Sequence, residues 1–174
     1  MAFVNRGLNL RRGLLLALVV LVADQASKWW ILEVFDLPTR RSVELFTAGP
    51  VGLNLTMVWN RGVTFGLLSG SAPWHSWALA GLAAVIAAFL LRWMVTAETR
   101  RTALALGAIV GGAVGNVIDR LRFGAVVDFV DAHGWGWHWY VFNVADAAIV
   151  LGVAVLLIEA LTGPAPATNK DRPA

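Results

Sequence analysis

Four apolar runs, each long enough to cross a bilayer as a helix, constrain this chain more than any other feature of its sequence. They cover about residues 13–32, 74–93, 102–121 and 142–161, and each is close to the roughly 20 residues that a membrane-spanning helix needs. Only 14% of the 174 residues are charged, against about 25% in an average soluble domain. The sequence therefore predicts an all-α polytopic membrane protein, with one membrane-embedded domain over residues 1–162.

The first run has an alternative interpretation, because it follows three arginines as the apolar part of a secretory signal peptide does. The run continues to Ile31, however, without a small-residue cleavage site after it, and its later part contains Asp24 and Lys28. A segment that is cleaved off has no need of such polar groups. We therefore interpret the run as a retained helix.

Helix-breaking residues separate the first two runs. Pro38, Gly49 and Pro50 lie between them, and residues 53–57 alternate between apolar and polar side chains as a strand does. We therefore expect a small extramembrane β element within residues 36–72, followed by a loop at residues 60–62. The proline-containing tail, residues 163–174, is predicted to be disordered.

The basic residues lie in short clusters beside the apolar runs, which is typical of the positive-inside rule and not of a nucleic-acid surface. Four crossings place both termini on one side with eight basic residues, against six on the other side. We therefore predict cytoplasmic termini, with the β element and the Trp/His-rich run 133–139 outside. The eight basic residues are Arg6, Arg11, Arg12, Arg92, Arg100, Arg101, Lys170 and Arg172.

Ionisable side chains inside a membrane are costly, so each of them is a candidate for function. Asp24 and Lys28 are four residues apart on one face of the first helix, close enough to pair. A structural ion pair that joins helices is the interpretation that we favour for these two residues.

The third run combines a packing face with a polar face. Gly111 and Gly115 have the small-xxx-small spacing that lets another helix approach closely. Asn116, Asp119 and Arg120 share a face near the outer end of the helix. A pair between Asp119 and an arginine there could serve structure or function equally.

Two acids, Asp128 and Asp146, are predicted to lie at the same depth on the same side of the membrane. Asp128 follows the third helix, and Asp146 lies in the first turn of the fourth helix, three residues after Asn143. Two carboxyls that meet near an apolar phase share one proton and supply both a base and an acid, as in aspartic proteases. Capping of the fourth helix is the alternative role for Asp146.

Other catalytic chemistries lack their residues or their spacing. The chain has no cysteine, and its three histidines do not have a metal-ligand spacing. The serines have no GxSxG context, and no phosphate-binding loop is present. The sequence therefore predicts neither a metal nor a cofactor.

Five motifs resemble, in order, those of the bacterial lipoprotein signal peptidases, also called signal peptidase II. They are DQxSK at residues 24–28, NRGVTFG at 60–66, GGAVGNVIDR at 111–120, VVDF at 126–129 and FNVAD at 142–146. The resemblance covers about residues 15–160. Thr64 departs from the alanine or serine that the family pattern leads us to expect, which affects local packing only.

The resemblance implies a four-helix aspartyl peptidase of the bacterial inner membrane, with its active site near the outer face. It implies that the enzyme cuts the signal peptide from prolipoproteins just before a diacylglyceryl-modified cysteine. Membrane lipids and a globomycin-type inhibitor are its other implied partners. The implied catalytic residues are Asp128 and Asp146, the implied substrate-binding residues are Asn60, Asn116, Arg120 and Asn143, and Asp24, Lys28 and Asp119 are implied to supply supporting polar contacts.

Two other classes of membrane protein compete with this interpretation. A small proton-coupled transporter would relay charge through its membrane carboxylates, and a structural subunit would need them only for helix contacts. A transporter needs acids spread across the membrane depth, whereas most acids here are predicted at one face. This distribution favours the enzyme.

The predicted topology leads to a direct experiment. Reporter fusions at the C-terminus and at Gly134 should report opposite compartments, with the C-terminus in the cytoplasm, because four crossings separate the two positions by one helix. Fusions that report the same compartment would contradict the four-helix topology.

Overall fold

Four long helices and a four-stranded sheet form the part of the chain that the computed structural model describes, residues 2–62 and 74–162. Helix α1 spans Ala2–Trp29 and continues as a π-helical turn over Trp30–Val34, and the one-turn helix α2 spans Leu37–Arg40. Strands β1 (Ser42–Ala48) and β2 (Val51–Asn60) precede helices α3 (Trp74–Val95) and α4 (Arg100–Phe123). Strands β3 (Val126–Gly134) and β4 (Trp137–His138) precede helix α5 (Val144–Thr162).

The predicted number of membrane helices is confirmed. Within the described residues, four segments are long and apolar enough to cross a membrane: Arg6–Val34, Trp74–Val95, Arg100–Phe123 and Val144–Thr162. Large apolar side chains such as Leu15, Phe89 and Leu161 remain exposed on these helices. Exposure of this kind is expected where lipid, and not water, covers the surface.

Three of the helices begin at positions that differ from the predicted ones, and one of them, α4, begins at Arg100 and not at residue 102. Helix α1 begins at Ala2 and not near residue 13, because the arginines that precede the apolar run are good helix formers. Helix α5 begins at Val144 and not at residue 142. Phe142 still pairs with Val130 in the sheet, so the helix starts only after Asn143.

The expected β element is present, but all-α is a loose description of the fold, because the element is a four-stranded antiparallel sheet in the order β1-β2-β3-β4. Only β1 and β2 lie in the predicted range 36–72, whereas β3 and β4 come from the segment between α4 and α5. The sequence of β3 begins Val-Val-Asp-Phe-Val-Asp and lacks the strict alternation that identifies a strand. The predicted disordered tail and Thr64 lie outside the described residues.

Helix α4 is the central helix and contacts α1, α3 and α5. Glycines let its neighbours approach closely, since a Cβ at Gly111 would lie 2.5 Å from the carbonyl oxygen of Ala17 in α1. A Cβ at Gly112 would lie 2.5 Å from the carbonyl oxygen of Ala145 in α5. The predicted packing role is therefore confirmed for Gly111, and these contacts hold α1 and α5 against α4.

Gly111→Ala should destabilise the protein by about 1–3 kcal/mol, because the added methyl group overlaps the backbone of α1. Gly81→Ala is the matched control, since a Cβ at Gly81 on α3 meets nothing within 4 Å. The control should be neutral or stabilising by up to about 1 kcal/mol, because alanine is the better helix former. Thermal unfolding in one detergent measures both variants, and equal melting temperatures would contradict the packing role.

Candidate active site

Strand β3 and helix α5 bring Asp128 and Asp146 to one place, where helix α4 ends and helix α5 begins. Asn143 links the two carboxyls: its Nδ2 donates to Asp128 Oδ1 at 2.7 Å, and its backbone N–H donates to Asp146 Oδ2 at 3.4 Å. Asp128 is only 1% exposed, and the charge of Asp146 acts on it. The structure therefore places the two acids as neighbours in a site with little water.

Asparagine amides supply most of the hydrogen bonds to this pair. Asn60 Nδ2 donates to Asp128 Oδ2 at 3.0 Å, so that both oxygens of Asp128 accept from an amide. Asn116 Nδ2 donates to Asp146 Oδ1 at 2.8 Å. A neutral amide orients a carboxyl without giving it a full counter-charge, so the acids are held in place while their proton equilibrium stays available for chemistry.

Asp146 also caps helix α5. Its backbone N–H donates to Asn143 Oδ1 at 2.9 Å, while its carboxylate accepts from the backbone of Asn143. This reciprocal pair is a capping box with asparagine as the first residue. The capping role expected as an alternative is therefore present together with the pairing of the two acids.

Burial raises the pKa of Asp128 to about 7. The neighbouring charge of Asp146 also raises this pKa, whereas the hydrogen bonds from Asn60 and Asn143 and the charge of Lys28 lower it. A carboxyl with this pKa exchanges its proton near neutral pH, which is the range in which an acid–base catalyst is most effective.

Lys28 is the centre of a second, fully buried cluster beside the acids. Its ammonium group lies 2.8 Å from Asp24 Oδ2, 2.8 Å from Asp119 Oδ2 and 3.2 Å from Asn116 Oδ1. Three acceptors match the three donors of an ammonium group. The predicted pair between Asp24 and Lys28 is confirmed, and Asp119 pairs with Lys28 where an arginine was considered as its partner.

The two acids of this cluster support the segments that contain the paired acids. Asp24 Oδ1 accepts the backbone N–H of Ala145 at 3.0 Å, directly before Asp146. Asp119 Oδ2 accepts the backbone N–H of Val127 at 3.1 Å, directly before Asp128. Lys28 therefore connects the supports of both paired acids, and the supporting role that the resemblance implies for Asp24, Lys28 and Asp119 remains a prediction.

Arg120 lies close to the pair but donates to backbone carbonyls. Its guanidinium donates to the carbonyl oxygen of Gly62 at 3.2 Å and to that of Asn116 at 3.4 Å. The first contact ties the end of β2, and with it Asn60, to helix α4. The role of Arg120 in substrate binding remains a prediction, as does that of the three asparagines.

Sequence reasoning missed the roles of Gln25 and Asp131. Gln25 Nε2 donates to Asp24 and Asp119, both at 3.1 Å, and so bridges two carboxylates. Its position inside the DQxSK motif was the available signal. Asp131 accepts from Thr56 and pairs with His138, and its place three residues after Asp128 gave no signal because strand β3 was not expected.

A family model described as signal peptidase (SPase) II matches residues 16–162. This chain belongs to the signal peptidase II family. It is 49% identical over 161 residues to a lipoprotein signal peptidase of Methylobacterium sp. (strain 4-46), covering 92% of this chain and 95% of that relative. It is 46% identical to a lipoprotein signal peptidase of Methylorubrum extorquens (strain PA1), covering 90% of this chain and 88% of that relative.

Solved structures are similar as well. A bacterial membrane enzyme determined by the in meso method at 2.3 Å resolution has a TM-score of 0.74 and 26% sequence identity, and the match covers 92% of this chain and 94% of that chain. A second such structure, at 1.9 Å resolution, has a TM-score of 0.70 and 27% identity. The predicted family and the predicted activity, that of a lipoprotein signal peptidase, are confirmed. This chain is a multi-pass bacterial membrane protein.

The raised pKa of Asp128 predicts a pH-dependent stability. Between its usual pKa of 3.8 and about 7, the folded protein binds more protons than the unfolded chain, so the free energy of unfolding falls as pH rises. Asp128→Asn removes this titration. The stability of the variant relative to the wild type should therefore increase from about pH 5 to about pH 7, by at most about 3 kcal/mol, and then level off.

Thermal unfolding in one detergent at several pH values measures this difference. Asp36→Asn is the matched control, because it makes the same substitution at an exposed aspartate whose side chain contacts only Thr39 among the hydrogen bonds found. A constant difference between Asp128→Asn and the wild type across the range would contradict the raised pKa.

Proposed function

We propose that this chain is an aspartic endopeptidase that removes the signal peptide from diacylglyceryl-modified prolipoproteins, cutting directly before the lipidated cysteine. The observation that supports this most strongly is the pair of buried Asp128 and half-buried Asp146, joined by Asn143. The same pair lies in a chain of the signal peptidase II family. A pair of carboxyls in little water, one of them with a pKa of about 7, is suited to peptide hydrolysis.

The proposed reaction uses one proton shared by the two acids. The ionised aspartate accepts a proton from a water molecule, whose oxygen attacks the scissile carbonyl carbon. The protonated aspartate donates a hydrogen bond to the carbonyl oxygen and stabilises the charge that develops there. When the C–N bond breaks, the leaving nitrogen takes a proton from the pair, and the acids return to their shared-proton state.

The polar residues around the acids are proposed to hold the substrate. Arg120 uses donors on the carbonyl groups of Gly62 and Asn116, and a guanidinium has five donors in a fixed fork. Its remaining donors can bind substrate carbonyl groups beside the acids. Asn60, Asn116 and Asn143 each place an amide on one of the acids, so they can contact both substrate and acid. A globomycin-type inhibitor would use the same polar groups.

The enzyme is proposed to lie in the bacterial cytoplasmic (inner) membrane with both termini in the cytoplasm. The excess of basic residues in the flanks and short loops of one side supports this orientation. The paired acids then lie near the outer face, where the sheet also lies. In this orientation the signal helix of the substrate and its acyl chains lie in the bilayer among the helices.

The position of the acids argues against a transporter. Asp24, Asp119 and Asp146 are linked through Asn116 and Lys28 in one cluster at one end of the helices. A relay across the membrane would need ionisable groups distributed along its depth. The clustered arrangement favours hydrolysis at one face.

Asp128→Asn and Asp146→Asn should each lower cleavage of a lipidated prolipoprotein by at least about a hundredfold, because loss of either acid removes the base or the acid from the pair. The assay follows release of the signal peptide by the purified protein in detergent. Asp36→Asn is the matched control, since Asp36 is exposed and its side chain contacts only Thr39 among the hydrogen bonds found. Near-full activity in either test variant would contradict the assignment.

The same assay tests the role of the lipid. A precursor without its diacylglyceryl group should be cleaved much more slowly at equal concentration, because each buried methylene contributes about 0.8 kcal/mol to binding. Equal rates for the two precursors would show that the peptide alone is recognised.

A further inference from the structure

Strand β3 contains a β-bulge directly after Asp128. The backbone N–H groups of Phe129 and Val130 both donate to the carbonyl oxygen of Phe142, at 3.2 and 2.8 Å. Two consecutive residues of β3 thus face the single residue Phe142, and this pattern defines a β-bulge. A bulge interrupts the alternation of side chains along a strand. Phe129 and Val130 accordingly both pack in one apolar cluster, together with Val127.

Because of the bulge, Asp128 and Asp131 lie on the same face of β3, opposite the apolar cluster. The residues between them point into that cluster, while both acids contact polar side chains. Three residues of strand separate the two acids by about 10 Å. The face that contains Asp128 therefore continues along β3, away from the helices, as a polar face.

Asp131 holds His138 on this face. Asp131 Oδ2 accepts from Thr56 Oγ1 at 3.1 Å, and Asp131 Oδ1 lies 3.0 Å from His138 Nδ1. The side chain of Asp131 is 8% exposed and that of His138 is 64% exposed. Burial raises the pKa of Asp131, but the hydrogen bonds from His138 and Thr56 outweigh it, and the net pKa is lowered. Asp131 therefore stays ionised and orients the imidazole.

The orientation leaves the other ring nitrogen of His138 available for binding. An ionised carboxylate only accepts hydrogen bonds, so His138 Nδ1 carries the hydrogen in this pair. In the neutral ring, Nε2 is then an acceptor for a peptide N–H, and in the protonated ring it is a donor to a peptide carbonyl. Either state can bind the main chain of an extended peptide.

Resting on the proposed function, we propose that His138, positioned by Asp131, binds the main chain of the substrate polypeptide about three to five residues beyond the cut. The signal segment of that substrate lies in the bilayer, so the segment that follows the cysteine must leave the site on the outer side. The polar face of β3 continues from Asp128 toward Gly134, away from the end of helix α4 at which the strand starts. An extended peptide needs about three residues to span the roughly 10 Å to Asp131 and reach His138.

Two lipidated substrates test this subsite, one ending two residues after the cysteine and one continuing for ten residues. His138→Ala should lower kcat/KM about 2- to 10-fold for the long substrate, which is the range expected for one lost hydrogen bond. The rate for the short substrate should stay the same. Trp137→Ala is the matched control, because Trp137 precedes His138 in β4, is 81% exposed and points to the other face of the strand.

If His138 had only a structural role, His138→Ala would lower kcat/KM equally for both substrates. The dependence of the loss on substrate length therefore separates the two roles. An equal loss for both substrates, no loss for the long substrate, or the same length-dependent loss in Trp137→Ala would overturn the subsite. If the wild-type protein cleaves neither substrate, the proposed function fails and not the subsite alone.

Discussion

The rest of the site depends on the interactions of one buried cation, the ammonium group of Lys28. A charge in this position is costly unless it is fully paired, and here Asp24, Asp119 and Asn116 all accept from it. Each acceptor also contacts a segment that contains a paired acid or, for Asn116, the acid Asp146 itself. One cation thereby fixes the relative positions of helix α1, helix α4, the start of helix α5 and the start of strand β3.

Three asparagines contact the paired acids directly, in addition to the support that the ion pairs of Lys28 give to the backbone. Ion pairs set the backbone positions, whereas the amides of Asn60, Asn116 and Asn143 orient the carboxyl groups themselves. A lysine or arginine in direct contact would favour the ionised form of both acids. The donors next to the acids are neutral, and the ammonium group of Lys28 lies one contact further away. This arrangement allows the raised pKa of Asp128 in a site that is still rigid.

Much of this arrangement could be predicted from the sequence, because the bilayer imposes strong rules on composition. The four helices follow from apolar runs of sufficient length, and the pairing of Asp24 with Lys28 follows from their spacing on a helix. Strand β3 could not be predicted, because most of its first six residues are buried and its bulge removes the alternation of apolar and polar residues. The partner of Asp119 could also not be predicted. Lys28 lies on another helix, and the sequence alone does not show that this helix brings Lys28 closer to Asp119 than an arginine of α4.

The bulge at Phe129 and Val130 has a consequence for how this part of the chain tolerates changes in length. All residues of β3 beyond the bulge are out of phase by one position with those before it. Loss of one of these two residues would restore strict alternation with Asp131 and His133 still on the face of Asp128, but one residue closer to it. A one-residue deletion at the bulge would thus shorten the strand without turning its side chains over, whereas a one-residue deletion beyond the bulge would turn every later side chain of β3 to the opposite face. The effect of a change in length therefore depends on its position relative to the bulge.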